Sequence, residues 1–202
     1  DRFSSLATGA RYDAVHDRWS PLPTSASISA RDFHTAVWTQ SEMLIWGGVD
    51  GARVLADGAR FRSATDAWIP LAESAAPSER QGHAAIWTGR EVVVWGGAAD
   101  GSYFDRGARY DPVLDLWTPM QTLGAPSARA FHSAVWTGSE VLIWGGNGPG
   151  ATSTGGRYNS ASDSWTRIAD SGAPAARWTH SAVWTGAEMI VWGGTPGVAS
   201  RS

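Results

Sequence analysis

The stretch RAFHSAVWTGSEVLIWGG, residues 129–146, decides the fold, because the chain writes it four times. The other copies are RDFHTAVWTQSEMLIWGG (31–48), RQGHAAIWTGREVVVWGG (80–97) and RWTHSAVWTGAEMIVWGG (177–194). Successive copies start 49, 49 and 48 residues apart. A period of this length fits one four-stranded propeller blade per repeat. Within the quoted stretch, HSAVW alternates as a strand A, TGS turns, and EVLIWGG continues as a strand B that is apolar on both faces. A strand apolar on both faces needs cover on both, which stacked blades supply.

Working outward, a second pattern fills the space between copies. It reads GARYDAVHDRWSPL (9–22), GARFRSATDAWIPL (58–71), GARYDPVLDLWTPM (107–120) and GGRYNSASDSWTRI (155–168). These are strands C and D. The prolines that close D (Pro21, Pro70, Pro119) fit a strand at the outer edge of a sheet, where a missing N–H is tolerated. The expected architecture is all-β, one propeller domain over 1–202. Three intact blades span about 31–79, 80–128 and 129–176. A fourth is split, with strands C and D from 8–22 and strands A and B from 177–194. Joining the halves brings the strand near Trp192 beside the strand near Tyr12. Closure within one chain makes a ring of four blades; closure between two chains makes a homodimer with a ring of eight. The large side chains on strand A favour the wider ring.

The repeat resembles the kelch family of β-propellers. The matching residues are the doublets Gly47-Gly48, Gly96-Gly97, Gly145-Gly146 and Gly193-Gly194, then an aromatic (Tyr12, Phe61, Tyr110, Tyr158), then a Trp (Trp19, Trp68, Trp117, Trp165). The resemblance covers nearly the whole chain and implies a propeller. It leaves function open, since kelch propellers include binding modules and some enzymes. The copper oxidases of this fold use a Cys-modified Tyr, and a chain with no Cys cannot carry that chemistry in that form.

Composition narrows the partners. The chain has 202 residues with 13 Trp and 24 Gly, a formal net charge of −3 and no basic block, which argues against nucleic acid and an anionic membrane surface. No apolar run approaches the roughly 20 residues of a membrane-spanning helix. No cofactor or metal is expected, although four periodic histidines (His34, His83, His132, His180) raise the question of a metal site. Residues repeated in every blade are better read as repeated structural solutions, because a catalytic site is unique. Three Trp columns then serve inter-blade packing, and Asp17, Asp66, Asp115 and Asp163 form C–D turns. Each Arg of Arg-x-x-His braces an entering loop, and Glu42, Glu91, Glu140 and Glu188 can pair with a periodic Arg. Among the histidines only His16 stands outside the column, in a solvated turn.

Function is expected where the copies diverge. The A–B turns TQSE, TGRE, TGSE and TGAE are near-identical, whereas the B–C and D–A loops differ between blades. Those loops share one face of the disc, which is the candidate binding face. Its contact-capable residues are Tyr103, Phe104, Asp105 and Arg106, with Phe33, Gln81, Phe131 and Trp178 and the arginines Arg31, Arg80, Arg129 and Arg177 at the strand-A entrances. The expected function is a non-enzymatic interaction scaffold for a protein or small-molecule ligand. The alternatives are a kelch-type propeller enzyme or sugar-binding protein, and a designed or recently amplified structural propeller with no evolved ligand.

Overall fold

Alternating apolar residues, β-branched runs and turn-forming Gly and Asp produce strands throughout the computed structural model, which describes residues 5–197. It opens with a hairpin of β1 (Ala10–Asp13) and β2 (Arg18–Pro21). The first blade contains β3 (Thr35–Trp38) and β4 (Glu42–Trp46), a short hairpin of β5 (Val49–Asp50) and β6 (Arg53–Val54), then β7 (Gly58–Arg62) and β8 (Ala67–Pro70). The second repeats this as β9 (Ala84–Trp87), β10 (Val92–Trp95), β11 (Ala98–Ala99), β12 (Ser102–Tyr103), β13 (Gly107–Asp111) and β14 (Leu116–Pro119). The third has β15 (Ser133–Trp136), β16 (Val141–Trp144), β17 (Gly155–Asn159) and β18 (Ser164–Arg167). The last elements are β19 (Arg177–Trp178), β20 (Ser181–Trp184), β21 (Met189–Trp192) and β22 (Thr195–Pro196).

Among the described residues three antiparallel four-stranded sheets result, each in the order A–B–C–D: β3-β4-β7-β8, β9-β10-β13-β14 and β15-β16-β17-β18. The proline-ended D strands lie at the sheet edges, as the sequence requires. Register repeats from blade to blade: Met43 faces Phe61, Val92 faces Tyr110 and Val141 faces Tyr158 across the B–C pairs.

The core lies between blades. Val37, Leu44 and Trp46 of the first blade pack on Val92, Val94, Tyr110 and Trp117 of the second. Val93 and Trp95 of the second pack on Val141, Ile143, Tyr158 and Trp165 of the third. The Trp46 and Trp117 rings are 5.6 Å apart and those of Trp95 and Trp165 5.3 Å, so the indole columns form the inter-blade seams. Each seam also has a polar clasp. Trp117 Nε1 donates to the carbonyl of Ala72 at 2.9 Å, and Asp115 accepts from the Ala72 N–H at 3.1 Å.

The two terminal pairs remain separate sheets: β1 pairs with β2 and β20 with β21, and the expected pairing of β21 with β1 is not made within the chain. Both terminal pairs carry large apolar side chains that meet solvent. Tyr12, Trp19, Val183, Ile190 and Trp192 are all exposed.

Candidate functional site

Each strand-A entrance is built around its Arg. Arg129 is fully buried. Its Nε donates to the carbonyl of Ser127 at 2.8 Å, and Nη1 donates to the carbonyls of Gly145 at 3.0 Å and Thr154 at 2.8 Å. Arg80 does the same with the carbonyls of Ser78, Gly96 and Arg106, at 2.9, 2.8 and 2.8 Å. Arg31 and Arg177 repeat the pattern on Gly47 and Gly193. One guanidinium thus joins a D–A loop, the Gly doublet and the end of a B–C loop. Burial pulls both Arg80 and Arg129 down to about 10, with Arg106 adding to the shift at Arg80. With donors committed to these carbonyls and to the side chains of Ser29, Asp57, Ser78, Ser127 and Thr154, Arg31, Arg80 and Arg129 are buried braces of the entrances.

The histidines are also packing groups. His83 stands edge-on to Trp46 at 5.2 Å, His132 to Trp95 at 5.2 Å and His180 to Trp144 at 5.1 Å. The first Gly of each doublet explains the contact. At Gly47, Gly96 and Gly145 an added Cβ would strike His83, His132 and His180, and φ is positive at all three. Burial, reinforced by the adjacent Arg, pushes His83 and His132 down to about 3. Among the described residues no group of three His, Asp or Glu converges as a metal site.

The two loop sets share one face, as expected. Bridges join Asp32 to Val49, Gln81 to Ala98 and Ala130 to Asn147, and β19 pairs with β22. Tyr103 lies on β12 and its hydroxyl accepts from Asn147 Nδ2 at 3.1 Å. Phe104 sits between two guanidiniums, Arg80 at 4.6 Å and Arg106 at 5.1 Å from the ring centroid. Arg106 and Asp105 are exposed, and Gln81 is half-buried.

A second cluster forms at the inner end of the same face. Phe33 meets Phe131 edge-on at 6.2 Å, and Phe131 meets Trp178 at 5.8 Å. Gly82 lies beneath the Phe131 ring. The backbone holds this arch: Phe131 N–H donates to the carbonyl of Gly82 at 2.7 Å, and Thr179 N–H to that of Phe131 at 3.0 Å. Phe33, Phe131 and Thr179 all adopt positive φ, between 51° and 56°. That conformation is costly for a bulky side chain and aims the rings over the entrances. The sequence marks Phe33, Phe131 and Trp178 individually. Their convergence, and the roles of Gly82, Thr179 and Asn147, were not marked; Gly82 at the Phe33/Phe131 position was the available signal.

His16, expected in a solvated turn, is exposed and bonds to Asp13 Oδ2 at 2.7 Å. The turn aspartates do more than turn. Tyr12, Tyr110 and Tyr158 each donate a 2.6 Å hydroxyl bond to Asp17, Asp115 and Asp163. Glu42 pairs with Arg60 at 3.6 Å, Glu91 with Arg109 at 3.5 Å and Glu140 with Arg157 at 3.8 Å, as the periodic Glu and Arg anticipate, and Arg62 adds a second, 2.7 Å pair to Glu42.

Comparison with known families agrees with this geometry. The family model described as the KLHDC2/KLHL20/DRC7 Kelch-repeats domain matches residues 4–197. No curated protein matches the chain.

Proposed function

The chain belongs to the kelch-repeat family, and on that premise we propose that it is a non-enzymatic protein-interaction scaffold whose ligand is held on the B–C/D–A loop face. The observation that carries this reading is the aromatic arch Phe33–Phe131–Trp178 on that face, in which Phe33 and Phe131 themselves adopt positive φ. Strain of this kind accompanies ligand clamps more often than free surface. Beside it, Arg106 offers an exposed cation stacked on Phe104. The ligand chemistry that fits is a peptide with an apolar or aromatic anchor and a neighbouring carboxylate. The same reading treats the two terminal half blades as parts of one composite blade.

Selection of peptides from a displayed library tests it. Peptides that bind the chain should lose at least tenfold affinity with Phe33→Ser or Arg106→Ala and none with Arg90→Ala in an A–B turn. Loss with Arg90→Ala and retention with Phe33→Ser would move the site to the opposite face.

A further inference from the structure

Arg62 and Arg90 break the repeat at one place on the A–B/C–D face. The residue two after the strand-C Arg is Arg62 in the first whole blade, but Asp111 and Asn159 in the second and third. Arg90 stands in an A–B turn where the other turns have Ser41, Ser139 and Ala187. Both side chains line one cleft of about 640 Å³ whose walls are the first and second whole blades. That volume suits a small ligand or one large side chain.

We propose that this cleft binds a phosphate monoester on an aromatic stem, the chemistry shared by a phosphotyrosine side chain and a free aryl phosphate. The site lies on the face opposite the B–C and D–A loops and does not depend on what those loops bind.

The anion end is built on a buried carboxylate. Glu42 is 6% exposed and lies between Arg60 at 3.6 Å and Arg62 at 2.7 Å. Arg60 Nη1 also donates to the carbonyl of Pro112 at 2.7 Å, which ties it to both walls. Arg62 bonds Glu42 through Nε, and its two terminal nitrogens make no hydrogen bond among the described residues. The carboxylate thus holds this guanidinium by one edge and leaves its terminal fork open. Arg90 is exposed, and its side chain has no ion pair or hydrogen bond among the described residues. Asp111 is committed to its own turn, where Oδ1 accepts the N–H groups of Val113 and Leu114 at 2.9 and 3.1 Å. Three guanidiniums against two carboxylates leave the cleft positive on a chain whose net charge is −3. A carboxylate is filled by one guanidinium fork, whereas the three terminal oxygens of a phosphate monoester can accept from two. Two open guanidiniums from neighbouring blades therefore favour the phosphate.

The stem end is apolar. Trp87 is half-buried and its Nε1 is buried without a partner, so the indole surface it adds to the cleft is carbon. Val113 and Leu114 form a lip, 88% and 67% exposed, where the other whole blades have Ala64-Thr65 and Ala161-Ser162. A planar stem covers these side chains while its phosphate meets the arginines. The junction of the second and third whole blades is the internal control. There Glu91 pairs with Arg109 alone among the described residues, and the corresponding positions are Ser139, Asn159, Ala161 and Ser162. That corner has neither surplus charge nor an apolar lip.

Calorimetric titration of the whole chain with phenyl phosphate tests the site. Phenyl phosphate binds, and inorganic phosphate and phenol each bind more weakly by about tenfold or more. Arg90→Ala, at an exposed side chain outside the Arg60–Glu42–Arg62 cluster, weakens phenyl phosphate by about tenfold and leaves Tm unchanged. Arg62→Ala weakens it as much, and Phe33→Ser on the loop face has no effect. Peptides without phosphate leave the cleft empty, so the two faces are scored separately. A capped Gly-phosphotyrosine-Gly tripeptide separates the two sources. Tighter binding than phenyl phosphate assigns the cleft to a phosphorylated partner protein, and weaker binding to a free aryl phosphate. No binding of phenyl phosphate overturns the proposal. So does equal affinity for inorganic phosphate, which shows a counterion only, or full affinity in Arg90→Ala.

Discussion

Thr35 Oγ1 and His83 Nε2 lie 2.8 Å apart and tie the first whole blade to the second. Ser133 and His180 make the same 2.8 Å bond between the third blade and the half blade after it. The seam between the second and third blades lacks it. Ala84 occupies the Thr35/Ser133 position, and both ring nitrogens of His132 are buried without a protein partner.

Ala84→Ser restores the missing hydroxyl. A satisfied buried hydrogen bond contributes about 1 kcal/mol, and the unpaired nitrogen it relieves costs at least as much. The expected gain is a rise in Tm of about 2–4 °C for a chain of this size. Calorimetry on the two proteins checks it; an unchanged or lower Tm refutes the assignment of Ala84 as the defect.

Acid should destabilise the fold through His83 and His132. Burial holds both at about 3, well below the 6.5 of the unfolded chain. The unfolded chain then takes up protons that the folded chain refuses. Stability is full above pH 6.5 and declines as pH falls from there toward 3. At pH 5 the cost is about 2 kcal/mol for each histidine. Urea midpoints that stay level between pH 7.5 and 5 would contradict this.

Arg129 carries its entrance through five donors on Ser127, Gly145 and Thr154. Arg129→Ala leaves several buried carbonyls unpaired and should cost about 3 kcal/mol or more. Arg129→Lys should fail to rescue it, because an ammonium cannot span the planar fork. Arg106→Ala, at an exposed side chain, should stay within about 0.5 kcal/mol. Equal costs for Arg129→Ala and Arg106→Ala in urea unfolding would remove the distinction between brace and contact residue.

Trp95 and Trp178 separate seam from face. Trp95 lies between His132 and Trp165 and is almost fully buried, so Trp95→Ala should cost about 3–5 kcal/mol. Trp178 is half-buried and touches Phe131. Trp178→Ala should cost distinctly less while reducing peptide binding. Matching Tm losses for the two would show that Trp178 is a packing residue.

The repeat alone determined the blades. Period-two alternation, Gly doublets at one offset and prolines at the ends of D are local constraints, and local constraints are readable without neighbours. They set strand order and register, and the observed pairs follow them from Met43–Phe61 to Val141–Tyr158. The indole columns and the bracing role of the arginines were legible for the same reason: one solution repeated in every blade shows up as a column. Three things were decided only in the tertiary structure. Arg80 and Arg129 could be called candidate contacts from sequence, and their burial depends on carbonyls brought from 16 and about 25 residues away. Phe33, Phe131 and Trp178 come from different blades, and they meet only because positive φ turns the backbone at each entrance. The state of the half blades is likewise a matter of three dimensions. The repeat leads one to expect β21 beside β1, and the two do not pair within the chain; whether a chain's own rims meet depends on the angle summed over successive indole seams, and no single repeat contains that angle.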